Sequence, residues 1–367
     1  MESARADDAD WRGGRIGVFV HYAGEDVLKV AKDAYAMFFT ENGLGPAALK
    51  SLAKFECEVV QMTAGLLSGG AGVRGTMTTG GTESILLAMK CARDWARAGN
   101  RGGATPKVVY SETTQPAFDK SAHLLGMEVV RVPVRADLSP DIEGIARAVD
   151  ARTVALVASA PNFPYGMVDP VREYAALAAK PGLWLHVDAC VGGYIAPFAR
   201  KLGRPIPDFD FAIPEVTTIS ADCHKYGYAA KGASTLLFRD ETAFSHLAYD
   251  FSGWPRGRYF THTFTSTRAG EAIAAAWAVM KHRDHDRRLD GGGDLHVAPH
   301  CGQCSRSRPK TRLSRRASAP RSLSERRARA GRSRRCRRRW RRARDRRWAS
   351  RSPAAPGRWP GRRRGTG

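Results

Sequence analysis

From residue 79 to residue 281 the chain alternates short apolar runs with amphipathic segments, and no other feature constrains its fold as strongly. Lys107–Tyr110, Glu128–Val132, Val154–Ser159, Trp184–Asp188, Thr217–Ala221 and Ser234–Phe238 each read as a short strand. Helical spacing falls at 116–125, 141–149, 170–180 and 270–281, between or after them. The alternation predicts an α/β fold around a mostly parallel sheet covered on both faces. Upstream, Asp26–Phe39 carries Val27, Val30, Ala31, Ala34, Met37 and Phe38 at helical spacing. Gly45-Pro46 opens a second helix to about Leu67, and Thr79-Gly80-Gly81-Thr82 turns into a third over Glu83–Ala98.

The formal charge of +23 points first to a nucleic-acid partner, but its distribution points away from one. Residues 283–367 hold 29 of the 59 Lys+Arg and 6 of the 36 Asp+Glu, leaving 30 of each sign in residues 1–282. That first part is a neutral chain long enough for one large core. Runs such as Arg337-Arg338-Arg339-Trp340-Arg341-Arg342 repel themselves and predict disorder. Three readings of this tail compete: a basic arm for nucleic acid, a solvated charge run, and out-of-frame translation of a GC-rich gene. Lys310 is its lone lysine, where a selected nucleic-acid arm would more often mix Lys with Arg, and the periodic pattern stops near Lys281-His282-Arg283. These favour the third. Expected boundaries are 1–50 for an N-terminal segment and helix, 51–282 for the large domain, and 283–367 for the tail.

Cys57, Cys91, Cys190 and Cys223 show no disulfide or metal spacing and suit a reducing cytoplasm. His300-Cys301-Gly302-Gln303-Cys304 has no second CxxC and reads as chance. No apolar run approaches about 18 residues, and Met1–Asp10 is acidic without an apolar stretch, so neither a membrane span nor a secretory signal is expected.

Two strands end on groups that can do chemistry. The run through Val187 ends on Asp188, and Val216–Ile219 leads into Asp222-Cys223-His224-Lys225. Ligands of such sheets bind beyond the carboxyl ends of the strands. A lysine there can form a Schiff base with an aldehyde, and a buried aspartate can keep a pyridine nitrogen protonated. Pyridoxal 5′-phosphate requires both groups. Thr79-Gly80-Gly81-Thr82-Glu83-Ser84 offers free amides at a helix N-terminus, a phosphate cradle, with Glu83 as a first-turn acid offsetting the helix dipole. His224 can donate to the cofactor phosphate. Each feature alone has a plainer reading: a simple turn, a capping aspartate, a solvated lysine, a satisfied core histidine.

Residues 15–281 resemble the sphingosine-1-phosphate lyase branch of the group II pyridoxal-dependent decarboxylases. The segments that carry the likeness are Glu41–Leu44, Thr79–Leu86, Pro161–Pro170, His186–Gly193 and Ser220–Gly232. The resemblance implies the large domain of a fold-type-I pyridoxal-phosphate enzyme, with the C-terminal small domain replaced by the Arg-rich tail. It makes Lys225 the Schiff-base lysine and Asp188 the partner of the pyridine nitrogen. Gly80, Gly81, Thr82 and His224 become phosphate ligands, and Ala189 lies under the ring. Lys231 falls near the substrate phosphate, and Asn42 in a loop lining the substrate entrance. Gln115 stands where the family usually has a histidine stacked on the ring. An amide can hydrogen-bond there but cannot titrate near neutrality, so cofactor binding should survive better than catalysis.

The implied activity is a lyase cleaving a C–C bond of an amine substrate, phosphorylated in this branch, through an external aldimine. Its products are an aldehyde and an amine phosphate. An amino-acid decarboxylase is the alternative. Further alternatives are an Arg-rich nucleic-acid-binding protein and an inactive truncated product. A homodimer is expected by resemblance.

Overall fold

The strand ends that matter for chemistry belong to a single seven-stranded sheet. A computed structural model describes residues 3–13 and 19–289. The strands are β1 (Arg74–Thr78), β2 (Lys107–Ser111), β3 (Glu128–Val132), β4 (Thr153–Ser159), β5 (Trp184–Asp188), β6 (Val216–Ala221) and β7 (Ser234–Phe238). Their order is β1-β7-β6-β5-β4-β2-β3. The five strands from β6 to β3 run parallel, and only β7 opposes its neighbours. The expected mostly parallel sheet is therefore present. The chain steps outward from β2 to β3, returns past β2 to β4, and continues to β5 and β6. Such a reversal leaves a crevice at the carboxyl ends of the strands.

Nine α-helices are present among the described residues: α1 (Glu25–Met37), α2 (Lys50–Leu66), α3 (Gly81–Ala98), α4 (Ala117–Leu125), α5 (Ile142–Ala148), α6 (Val171–Ala179), α7 (Ala196–Lys201), α8 (Glu241–Ser245) and α9 (Gly270–Leu289). Side-chain alternation along the strands builds a core on each face of the sheet. Val109, Leu156, Leu185, Val187, Ile219 and Leu237 join residues of α2, α5, α6 and α9. Val108, Tyr110, Val157, Trp184, Leu236 and Phe238 join residues of α3, α4 and α8 on the other. All seven residues of β4 are buried, as a central strand covered on both faces requires. α1 packs on α9 through Val27, Ala31 and Val279.

Several elements escaped the sequence reading. β1, Arg-Gly-Thr-Met-Thr, has no apolar run. It is a strand because α2 and β7 bury it: a Cβ on Gly75 would lie 2.8 Å from the Leu236 carbonyl oxygen, and buried Glu56 of α2 accepts from Thr76 Oγ1 and from the Met77 amide, each at 3.0 Å. A small hairpin, β8 (Tyr249–Phe251) with β9 (Tyr259–Thr261), also went unseen, as did the one-turn helices α7 and α8. The second helix begins at Lys50, because residues 45–49 form a turn. α9 continues past Arg283 to Leu289, beyond the expected break in the pattern. The rest of the Arg-rich tail, with its Cys301–Cys304 motif, lies outside the described residues. Cys91, Cys190 and Cys223 are buried free thiols. Cys57 is buried on α2. Among the described residues no helix is long and apolar enough to cross a membrane, and no group of three acidic, His or Cys side chains could hold a metal ion.

Candidate active site

The loops that follow β1, β2, β4, β5 and β6 surround one cavity of about 430 Å³. Gly80 precedes the first turn of α3 with φ +151°, a conformation that favours glycine. A Cβ on Gly81 would lie 2.9 Å from Asp222 Oδ2 and 3.0 Å from Cys190 Sγ, so only glycine lets the loop approach this closely. The first-turn amides of α3 have no partners within the helix and lie at the cavity wall. Glu83 does more than offset the helix dipole. Its Oε2 accepts from the Thr79 amide and Thr79 Oγ1, both at 2.6 Å, and its Oε1 accepts from the Phe264 amide at 2.9 Å. One carboxylate thus braces the glycine turn against the segment entering α9.

After β2, exposed Gln115 turns its Oε1 to the Ala117 amide at 2.6 Å and caps α4. After β4, Ser159 and Asn162 reach the cavity, and fully buried Asp169 accepts from the Ser159 amide at 2.7 Å. Burial pushes the Asp169 carboxyl up to about 6.

Asp188 ends β5 and is 7% exposed. Its Oδ1 accepts from the Cys190 amide at 3.0 Å and from Ser220 Oγ at 3.4 Å. Burial outweighs those bonds and raises its pKa. After β6, Asp222 is 2% exposed, with its Oδ2 3.1 Å from Lys225 Nζ and 3.7 Å from His224 Nε2. Burial works to lower the Lys225 pKa, but attraction to Asp222, Cys190 and Asp188 prevails and raises it. The His224 pKa is lowered, chiefly by burial. His224 Nδ1 and Asp222 Oδ1 are buried without a protein partner, which leaves hydrogen-bonding capacity for a ligand. Lys231 Nζ donates to the His224 carbonyl at 3.1 Å, and burial followed by repulsion from Lys225 lowers its pKa. His21, which sequence reading passed over, stands edge-on to Tyr226 at 4.9 Å. Burial, then Lys231, Lys225 and His224, bring its pKa to about 4.

The cavity gathers Gly80, Gly81, Thr82, Gln115, Asp188, His224 and Lys225, as expected. Lys231 adjoins them through His224. Ala189 is wholly buried behind Asp188 rather than on the cavity lining. Asn42 is elsewhere: it accepts from the Leu44 amide at 3.0 Å and lines a second pocket of about 240 Å³ with Arg268.

A family model for the pyridoxal-dependent decarboxylase conserved domain matches residues 21–251. The chain belongs to the pyridoxal-dependent decarboxylases. Among members of that family it is similar to the sphingosine-1-phosphate lyase of Oryza sativa subsp. japonica, 42% identical over 76% of this chain and 53% of the relative. Sphingosine-1-phosphate lyase 1 of Mus musculus is 40% identical over 75% of this chain and 48% of the relative. The solved sphingosine-1-phosphate lyase of Burkholderia pseudomallei aligns with TM-score 0.68 and 39% identity, covering 71% of this chain and 61% of the other. The chain spans about half the length of the curated relatives it matches.

The cofactor of this decarboxylase family is pyridoxal 5′-phosphate, and the residues present fit it. A buried acid with a raised pKa suits a cationic ring nitrogen. An amine lies at the mouth of the next strand, and a glycine turn too tight for any Cβ leads into a helix N-terminus. Sequence reading missed Asp222, three residues before the lysine, and the polar partners of Asp188 inside the strands. Their signal was available: His186 with Asp188, and Thr218 with Ser220, are polar at period two within buried runs.

Proposed function

We propose that this site binds pyridoxal phosphate through Lys225 and serves a lyase acting on a phosphorylated amine, as the names of its relatives suggest. The observation that carries the reading is the convergence of Lys225, Asp188 and the Gly80-Gly81-Thr82 turn on one cavity. When bound, the cofactor supplies an aldehyde for amines and an electron-withdrawing ring. Lys225 presents its amine to that aldehyde, and Asp222, 3.1 Å away, can take or return the lysine proton. Asp188 would accept a charge-assisted bond from the ring nitrogen. The amides of Gly81 and Thr82, with His224, would hold the cofactor phosphate. Gln115 lines the same cavity but cannot shuttle a proton near neutrality.

Lys231 supports a phosphorylated substrate, because it places a cation beside His224 outside the cofactor's own cradle. The reaction under this reading cleaves the bond between the amine-bearing carbon and a neighbouring hydroxylated carbon, releasing an aldehyde. An amino-acid decarboxylase is the second reading, supported by the family model itself. A homodimer is part of the first reading and rests on resemblance, and a cytoplasmic location rests on the cysteine pattern.

The test is reduction with borohydride in the presence of cofactor, followed by mapping of the labelled peptide. Label at Lys225 supports the reading, and label elsewhere overturns it. Aldehyde formed from a phosphorylated long-chain amino alcohol, against CO₂ formed from amino acids, separates the two activities.

A further inference from the structure

Behind Asp188, on the α3/α4 side of the sheet, polar side chains of two adjacent strands form a continuous line. Trp184 Nε1 donates to Thr218 Oγ1 at 2.9 Å, and Thr218 Oγ1 lies 2.9 Å from His186 Nδ1. His186 Nε2 lies 3.2 Å from Ser220 Oγ, which donates to Asp188 Oδ1 at 3.4 Å. The register of β5 against β6 sets this geometry by pairing His186 with Thr218 and Asp188 with Ser220. The imidazole is 2% exposed, and the Phe118 ring packs on it at 5.5 Å.

We propose that His186 is a positioning residue: through Ser220 it holds Asp188 as an anion with a fixed orientation toward the cavity. The proposal rests on the reading that Asp188 meets the cofactor's ring nitrogen. The roles along the line follow from its two ends. An indole nitrogen only donates, and an ionised carboxylate only accepts. Ser220 must therefore spend its proton on Asp188 and accept from His186 Nε2–H. Thr218 accepts from Trp184 and spends its own proton on His186 Nδ1. Every bond points the same way, and aligned buried bonds reinforce one another.

His186 can hold this direction across the working range, because burial brings its pKa to about 3 and the ring stays neutral. The charged and titratable groups facing Asp188 are Cys190 on its own loop, Asp222 and Lys225 after β6, and Asp169 before α6. Of these, Cys190 also donates: its amide to Asp188 Oδ1 at 3.0 Å and its Sγ to Ser220 Oγ at 3.4 Å. Apolar packing alone would not require four polar groups in register, each satisfied and ending on a carboxylate.

The test compares affinity for pyridoxal phosphate with affinity for its analogue carrying CH in place of the ring nitrogen, in the full chain. Thr218→Val and Ser220→Ala should each weaken the natural cofactor on the order of tenfold, leave the analogue within about twofold, and Thr218→Ser should restore binding. Equal weakening of both ligands, or no effect from Thr218→Val, overturns the relay while label at Lys225 keeps the cofactor reading intact. Failure of the unsubstituted chain to bind either ligand overturns both. In the unliganded protein, ring ¹⁵N shifts should put the His186 proton on Nε2. A proton on Nδ1 reverses the line and refutes the proposal.

Discussion

Replacing Asp222 with asparagine should make Lys225 a better nucleophile toward the cofactor. The carboxylate lies 3.1 Å from the lysine nitrogen, is 2% exposed, and is the leading influence that raises the Lys225 pKa against burial. Two unit charges at that distance interact by about 5 kcal/mol at an effective dielectric near 20, and by about 1.3 kcal/mol in water. The Lys225 side chain is 28% exposed, so the lower figure is the safer one. Removing the charge then shifts the pKa down by about one unit, since one unit corresponds to about 1.36 kcal/mol. The neutral amine is the reactive form, and its fraction at pH 7 rises about tenfold. Stopped-flow absorbance during cofactor addition reads this as faster formation of the coloured adduct, with a pH midpoint lowered by about one unit. An unchanged or raised midpoint would refute the argument.

Gly81→Ala should weaken cofactor binding at least about tenfold, because the added carbon lands 2.9–3.0 Å from Asp222 and Cys190. Fluorescence titration checks it, with unchanged far-UV circular dichroism as the control. Glu56→Gln should destabilise the fold by about 3–5 kcal/mol in urea titrations, since Arg268 would be left buried with its Nη1 and Nη2, now 2.7 and 2.9 Å from the carboxylate, facing an uncharged amide. Burial pushes the Glu56 pKa up, yet Arg268 holds it below 4.5. Its stabilisation is therefore full above pH 4.5 and fades as pH falls through the folded-state value. The substituted chain should lose that acid dependence in melting curves measured against pH.

The central strands and the catalytic pair were legible because both depend on local patterns: a buried run, then a polar residue where the run ends. The limits of what could be read were equally physical. β1 is a strand through contacts with α2 and β7, and Gly75 and two threonines give it no signature of its own. Asn42 sits in a recognisable motif, yet its carboxamide caps a nearby turn and its pocket is not that of Lys225. His186 meets Thr218 and Ser220 through the register of β5 against β6, so its period-two polarity marks a polar line without naming its partners. The meeting of Glu83 with the 264–265 segment joins residues 181 apart and leaves no trace in any local window.

That last connection, with Arg268 reaching back to Glu56 and to the Met77 carbonyl, orders events during synthesis. A nascent chain that has emerged only through β7 owns every strand of the sheet but keeps an uncompensated acid on α2 and a half-braced glycine turn. The glycine turn beside the cavity is therefore expected to reach its final geometry only once the stretch through Arg268 has left the ribosome. Premature stops just upstream should therefore yield protein that is cleared by proteases rather than stored as a colourless fragment.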